Sequence, residues 1–424
     1  MSIQEILSQS PAWNGALKII DLLESAGHEA YIVGGSVRDS WLLLHTTTSV
    51  SLEQIDFDIA TSAFPQEVMS LFHSTIPVGA QFGVVMVRIY ESQYEVATFR
   101  QDLEYRDGRR PTGVRFATVE EDVLRRDFTI NGLLYSPASD EMRDLVGGVA
   151  DLEAKLIRTI GAPVDRFTED KLRLIRAVRF AARFRFDIEK GTRQAIRELA
   201  PTLPTVSRER LRDELTRIMQ DPHPDYALEL LQECRLADPI LQLFPEPQLA
   251  LNQYGQLGKL KMEALPSELR LLAFLIFLAC PLQNPAADIQ RVQQTLRVFR
   301  LANSELTTAA TICGHLFQLQ AFDQLRYADR IRLLRDQLFS AAKLLAAALF
   351  NLPLGTVEAE LGRLEGRLLF PPPLLDGQDL IDAGLEPGPL FKRILRELET
   401  RQLEGTLFDR ATALELALQL AALD

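Results

Sequence analysis

Residues 31–39 read Tyr-Ile-Val-Gly-Gly-Ser-Val-Arg-Asp, and Asp56-Phe57-Asp58 follow shortly after; together they decide how this chain is read. Ala30 to Val33 form an apolar strand that ends in Gly34 and Gly35 and passes into a helix whose first turn carries Arg38. Glycine lets the backbone approach a phosphate closely, and a helix N-terminus offers free N–H groups and the positive end of its dipole. In an extended strand residues i and i+2 share a face, so Asp56 and Asp58 present adjacent carboxylates and Ile55 and Phe57 the apolar side. Such a pair suits divalent ions that activate a hydroxyl and neutralise a triphosphate. Taken singly, Gly-Gly after a strand reads as a turn, and Asp-x-Asp as a solvated loop or cap. In the order strand, glycines, helix, acidic strand, they point instead to phosphoryl-transfer chemistry.

Two further stretches extend the pattern. Residues 125–131 read Arg-Arg-Asp-Phe-Thr-Ile-Asn, and residues 169–180 read Glu-Asp-Lys-Leu-Arg-Leu-Ile-Arg-Ala-Val-Arg-Phe. With Gly34–Asp39 and Asp56–Asp58, the set resembles the class II tRNA nucleotidyltransferases, the family of bacterial CCA-adding enzymes and poly(A) polymerases. The resemblance covers residues 28–220 and continues more weakly over 371–405, in Pro-Pro-Pro-Leu-Leu-Asp-Gly from Pro371 and in Glu386-Pro-Gly-Pro389. It implies an α+β fold: a polymerase-β-type nucleotidyltransferase head, a mixed sheet with helices, over 1–140, followed by an all-α neck, body and tail. The neck (141–225) would carry a nucleotide-recognition helix, followed by a helical body (226–330) and a helical, tRNA-binding tail (331–424). The implied activity is template-independent addition of the 3′-terminal CCA of tRNA, or only its terminal A. The implied substrates are CTP and ATP, with Mg2+ in a two-metal site and pyrophosphate as the leaving group. The alternative is a poly(A) polymerase extending RNA 3′ ends. A catalytically silent RNA-binding protein is the rival from another class, and the intact Asp56 and Asp58 argue against it.

Each motif then takes a role. Asp56 and Asp58 are the expected metal ligands, and Glu95, in the strand-like run Tyr94–Phe99, is the candidate third catalytic acid. A solvent-facing strand glutamate is the plainer account of Glu95. Gly34, Gly35 and Arg38 match family positions that contact the nucleotide, where N–H groups and a guanidinium face phosphate oxygens. The resemblance sets Arg126 on the incoming nucleotide and Asp127 near its ribose hydroxyl. A 2′-hydroxyl both donates and accepts, so a carboxylate there selects ribonucleotides. The plainer reading of that motif is a local salt bridge.

Asp170, Arg173, Arg176 and Arg179 recur every three residues, which puts them on one flank of a helix beginning at Glu169. Leu172, Ile175, Val178 and Phe180 would form its packing face. In the functional reading Asp170 accepts from the amino group of C or A while Arg173 donates to a ring nitrogen or carbonyl. Uracil and guanine would leave buried groups unpaired, at about 1–3 kcal/mol each. Arg176 and Arg179 would lie on the triphosphate; a solvated arginine flank is the alternative. The polar stretch Asp102–Pro111, with Arg106, Asp107, Arg109 and Arg110, reads as a mobile loop. Family members restricted to CC addition tend to lack a working loop there, so a CC-only product is not expected. Residues 40–55 are longer than the usual family connection and read as an enlarged surface loop.

Composition sets the remaining bounds. At 424 residues and 47% hydrophobic, the chain can bury a core large enough for several domains. Cys234, Cys280 and Cys313 are far apart, and the five histidines form no cluster, which excludes a disulfide framework and a zinc site. The C-terminal half shows no His-Asp phosphohydrolase pattern. The N-terminus lacks a cationic start followed by an apolar segment, and the apolar run Leu271–Cys280 is too short to span a bilayer. A cytoplasmic monomer without a membrane partner is expected. The formal charge of −12 sits awkwardly with an RNA partner, yet residues 98–217 hold 24 basic against 21 acidic side chains. Positive charge is thus concentrated where the motifs are. Residues 1–27 suggest an opening helix with Leu17, Ile20, Leu22 and Leu23 inward. Val84–Tyr90 suggests a strand, and Asp165–Phe186 and Ser207–Gln220 suggest helices, the last capped by Ser207.

Overall fold

A computed structural model describes residues 2–46, 56–102, 114–259, 261–350, 354–364 and 371–422. They fall into two compact units, Met1–Leu243 and Phe244–Asp424. The first unit opens with two helices where one was expected, α1 (Ile3–Leu7) and α2 (Trp13–Ser25). The inner face of α2 is Trp13, Ala16, Ile19, Ile20 and Leu23; Leu17 and Leu22 lie at its margins. β1 (Ala30–Val33), α3 (Gly35–His45), β2 (Asp58–Thr61), α4 (Pro65–Leu71), β3 (Thr75–Gly79), β4 (Val84–Ile89) and β5 (Ser92–Thr98) follow. Next come β6 (Arg100–Asp102), β7 (Val114–Phe116), α5 (Val119–Leu124), β8 (Leu133–Ser136) and β9 (Glu141–Asp144).

Seven of these strands make one sheet in the order β3-β4-β5-β2-β1-β8-β9. Only β2 and β5 run parallel; every other neighbouring pair is antiparallel. β1 and β2 are apolar where they meet the core, and Val119 and Val123 of α5 pack on Val33, Ala60, Phe99 and Leu134. Burying such a side chain stabilises the fold by about 1.5–3 kcal/mol. Thr118 caps α5 reciprocally with Glu121, and Asp122 is buried with Val119 and Val123. β6 and β7 form a separate two-stranded ladder, with Arg100 opposite Phe116 and Asp102 opposite Val114. The loop expected beyond Asp102, with its arginines, lies outside the described residues.

Residues 40–46 differ from expectation. Ser40, Trp41 and Leu42 are buried helical residues of α3, and the Trp41 ring stacks on His45 at 4.3 Å. Residues 47–55 lie outside the described residues.

After α6 (Gly148–Glu153) the first unit is mainly helical: α7 (Pro163–Glu169), α8 (Leu172–Phe184), α9 (Lys190–Leu199), α10 (Arg208–Gln220) and α11 (Pro224–Glu233). The single helix expected over 165–186 is broken in two. Asp170 adopts an extended conformation (φ −142°, ψ 103°), and its Oδ1 accepts from the Leu172 N–H at 3.0 Å. Aspartate competes with the helical ladder in this way, so it starts a helix better than it continues one. Ser207 does stand at the N-cap of α10, but its hydroxyl makes no capping bond.

Among the described residues of the second unit, helices are the only regular secondary structure. Its helix Ser267–Ala279 buries every residue from Leu271 to Ala279, and no described helix is long and apolar enough to cross a membrane. Leu375, Leu380, Ile394, Leu398 and Leu407 form a core near its C-terminal end. Mixed-sheet head and helical remainder together are the α+β fold expected from the sequence.

Candidate active site

Strand pairing gathers the acidic residues. Val33 stands opposite Asp58 in the antiparallel β1–β2 pair, and Asp58 stands level with Glu95 in the parallel β2–β5 pair. Asp56 and Asp58 are exposed while Phe57 is buried against Trp13, ring centroids 5.9 Å apart. The alternation is that of extended chain, although ladder pairing begins only at Asp58. Asp58 keeps one side open to solvent but is crowded by protein on the other. That crowding, and then the Glu95 carboxylate, push its pKa up to about 6; Arg126 pulls it back and Asp56 adds to the rise.

Gly34 forms the neighbouring wall. Its φ of 74° and ψ of −127° are open to glycine and strained for any other residue. A Cβ at Gly34 would lie 3.5 Å from Nη1 of Arg126 and 3.9 Å from Oδ2 of Asp58. The backbone turn into α3 is therefore lodged between a guanidinium and a carboxylate. A Cβ at Gly35 would lie 3.5 Å from Nη2 of Arg38.

Arg38 is 4% exposed and heavily engaged. Its Nε donates to Oδ1 of Asp39 at 2.7 Å, its Nη1 donates to Oδ1 of Asn131, and its guanidinium lies over Phe184 (4.8 Å) and Phe180 (5.3 Å). Phe180 also underlies Arg179 at 4.2 Å and Arg176 at 5.2 Å, all within cation–π range. Phe180 thus belongs beneath the arginines, not on a separate packing face as the sequence suggested.

The arginines of α8 are held by carboxylates. Arg176 donates through Nη2 (2.6 Å) and Nε (2.9 Å) to Oδ2 of Asp127 and reaches Glu214 at 3.5 Å. Arg179 donates through Nε to Glu214 at 2.7 Å. Oδ1 of Asp127 accepts from Asn131 Nδ2 (2.9 Å) and from the Phe128 N–H (2.8 Å). Burial alone would raise the Asp127 pKa, but the Arg176 charge and these hydrogen bonds hold it at about 2. Both oxygens of Asp170 accept from Arg210, at 3.1 and 2.7 Å. Arg173 donates through Nη1 to Glu169 (2.8 Å) and the Arg166 carbonyl (3.1 Å), and through Nη2 to the Arg125 carbonyl (3.0 Å).

Two clusters result: Asp56, Asp58, Glu95, Gly34 and Arg126 at the start of the central strand β2, and Arg38, Asp127, Asp170, Arg173, Arg176 and Arg179 around α8. Asn131 joins them, since it contacts Arg38 and Asp127 through its amide and Arg126 through its carbonyl at 3.5 Å. The adjacent, poorly compensated carboxylates of Asp56 and Asp58 are a hard oxygen donor set and fit a divalent cation. Among the described residues no three or more ligating side chains are gathered closely enough to enclose an ion. Two carboxylates suit a hard divalent ion whose other positions are filled by further oxygen donors.

Residues 30–158 match the family model of the poly A polymerase head domain, and residues 185–250 that of the probable RNA and SrmB-binding site of polymerase A. The CCA-adding enzyme of Leuconostoc mesenteroides is 43% identical over a stretch covering 55% of each chain. The CCA-adding enzyme of Lactiplantibacillus plantarum is 34% identical over 401 residues, 92% of this chain and 92% of its own length. The chain belongs to the CCA-adding enzyme family. Among CCA-adding enzymes of known structure, that of Bacillus stearothermophilus in complex with CTP superposes with a TM-score of 0.73 at 29% identity, over 96% of this chain and 97% of that one. The Thermotoga maritima CCA-adding enzyme complexed with tRNA shares the fold at a TM-score of 0.63 and 19% identity, over 100% and 99% of the two chains. Nucleotidyltransferases of this family generally use a divalent metal ion.

Within this CCA-adding family member, sequence reasoning passed over Asn131, Glu214, Arg210 and Asp122. Arg210 and Glu214 are four apart on α10, so helical spacing was the available signal for them, while Asn131 meets Asp127 across a short non-helical turn. The burial of Glu214 and Asp122 (2% and 1% exposed) had none.

Proposed function

We propose that this chain adds CCA to the 3′ end of tRNA from CTP and ATP, without a nucleic-acid template. The observation that carries the reading is likeness over nine-tenths of the chain to enzymes named for that reaction, joined to an acidic edge and an arginine helix in one compact unit. In the step proposed, the terminal 3′-oxygen forms a bond to the α-phosphorus as the bond to the β-phosphate breaks. The hydroxyl proton is lost and pyrophosphate leaves. Mg2+ held by Asp56 and Asp58, with Glu95 beside them, would supply activation of that hydroxyl and neutralisation of the triphosphate.

The remaining assignments concern the chain's own groups. Gly34 and Gly35 let the backbone approach the phosphates, and Arg126, beside Asp58, faces them. Asp127 accepts from the ribose 2′-hydroxyl, and Arg176 keeps it ionised for that purpose. Arg179 and Arg38, stacked on Phe180, hold the pocket positive for the triphosphate. Asp170 and Arg173 read the base edge, which requires Asp170 to exchange Arg210 for the nucleotide. We further propose a head (1–140), neck (141–225), body (226–330) and tRNA-binding tail (331–424), acting as a monomer in the cytoplasm.

Incubating the protein with tRNAs lacking CCA, CA or only the final A, with each NTP separately, tests the reading. Stepwise addition of C, C and A, ending there, is expected. Addition of A alone would mark an A-adding enzyme, and a long ladder a poly(A) polymerase.

A further inference from the structure

Asp122 has no place in the chemistry above, yet it is 1% exposed and its carboxylate collects hydrogen bonds from Arg125 and Arg126, just after its own helix, and from Arg100 in β6. Oδ2 accepts from Nη2 of Arg126 at 3.2 Å. Oδ1 accepts from Arg125 Nε at 2.9 Å, with Arg125 Nη2 in ion-pair contact at 2.8 Å, and from the backbone N–H of Arg100 at 3.2 Å. Each partner leads into the site. Arg126 Nη1 lies 3.5 Å from where a Cβ on Gly34 would stand, beside Asp58. Arg125 offers its carbonyl to Arg173 at 3.0 Å. Arg100 begins β6, which pairs with β7 in the two-stranded ladder.

We infer that Asp122 is a positioning residue for nucleotide binding, fixing Arg126 beside Asp58 through its Nη2 contact; the inference rests on the active-site reading above. The geometry explains why a carboxylate is needed. Arg126 extends from a short turn after α5, and its Nη2 has Asp122 as the carboxylate partner. Without it, two guanidiniums a residue apart would repel each other in a half-buried setting. A long, flexible arginine then loses the preorganisation that makes a phosphate contact strong. The valine face of α5 sits on the sheet, so Asp122 is aimed by the same packing that builds the head.

Asp122→Asn keeps the size of the side chain and one acceptor for the Arg100 N–H while removing the charge. Equilibrium binding of ATP to the full chain, measured by calorimetry beside the melting temperature, is expected to weaken about tenfold. In an Arg126→Ala background the same substitution is expected to change ATP affinity less than about twofold, because its effect runs through Arg126. If Asp122→Asn does not fold, Asp122→Glu retains the charge but displaces it by one methylene, and is expected to weaken ATP binding also. Unchanged ATP affinity in a folded variant, or an equal loss with and without Arg126, would overturn the inference. Tailing of tRNA by the wild type is scored separately. A wild type that binds ATP through Asp122 but adds nothing to tRNA would sink the proposed function and leave this inference standing.

Discussion

Arg176 grips the carboxylate of Asp127 with two hydrogen bonds, 2.6 and 2.9 Å long, although 49 residues separate them in the chain. The contact joins the Arg-Arg-Asp motif to the arginine helix, and it makes the ionised form of Asp127 part of the fold.

Asp127→Asn is expected to lower stability at neutral pH by about 2 kcal/mol, the equivalent of its displacement from 3.8 to about 2. A carboxylate held below its unfolded pKa stabilises the native state above that value and loses the contribution as pH falls through the folded pKa. The gap between wild type and variant should therefore close between about pH 4 and pH 2. Denaturant melts across that range check it, and discrimination against dATP should fall in the same variant.

Asp58 has the opposite sign. With its pKa raised from 3.8 to about 6, its charge opposes folding once the pH exceeds the unfolded value, fully so above 6. Asp58→Asn is therefore expected to melt at a higher temperature than wild type at pH 8 and not at pH 3.5. Nucleotide transfer should drop about a thousandfold. Addition of Mg2+ should raise the melting temperature of the wild type and leave that of the variant unchanged.

Asp170→Ala and Asp56→Ala should fail differently. The first is expected to narrow the preference for CTP and ATP over UTP and GTP by about ten- to a hundredfold while incorporation continues. The second is expected to stop incorporation of all four. Single-turnover assays with each NTP distinguish these outcomes, and equal loss in both would refute the separation of base reading from catalysis.

Gly34→Ala meets both strain and crowding: its φ is 74°, and the new methyl would sit 3.5 Å from Arg126. A loss of about 1–3 kcal/mol in stability is expected, read by chemical denaturation, with weakened ATP binding in whatever fraction folds.

Much of this site was legible because its signals are local. The strand, glycine pair and helix at 30–45, the Asp-x-Asp alternation and the arginines every three residues are short-range patterns, and the structure shows each as an element or a cluster. What escaped was set by distance in the chain. Nothing near residue 170 announces that Arg210, forty residues on, will take both oxygens of Asp170. Nothing near residue 180 says that Arg38 will lie over Phe180 from α3, which turns an apparent packing phenylalanine into a platform for cations. The break between α7 and α8 was hidden because Asp170 was counted as a face residue, when its side chain serves the Leu172 N–H instead. Ser207 misled in the other direction, standing at a helix start without capping it.

Asp58 and Glu95 stand level because two strands from distant parts of the chain run side by side in the same direction. No turn joins them, so side-chain fit and the pairing of β5 with β4 keep the alignment, and a slip of one residue would swing Glu95 to the underside of the sheet. Single-codon insertions and deletions between Thr61 and Ser92 should accordingly divide into two kinds. Those absorbed at the Tyr90–Glu91 turn, or at the irregularity between Ile76 and Gly79, would be silent. Those that shift β5 would turn Tyr94 and Val96 out of the core and Glu95 into it, and would yield a destabilised and inert protein.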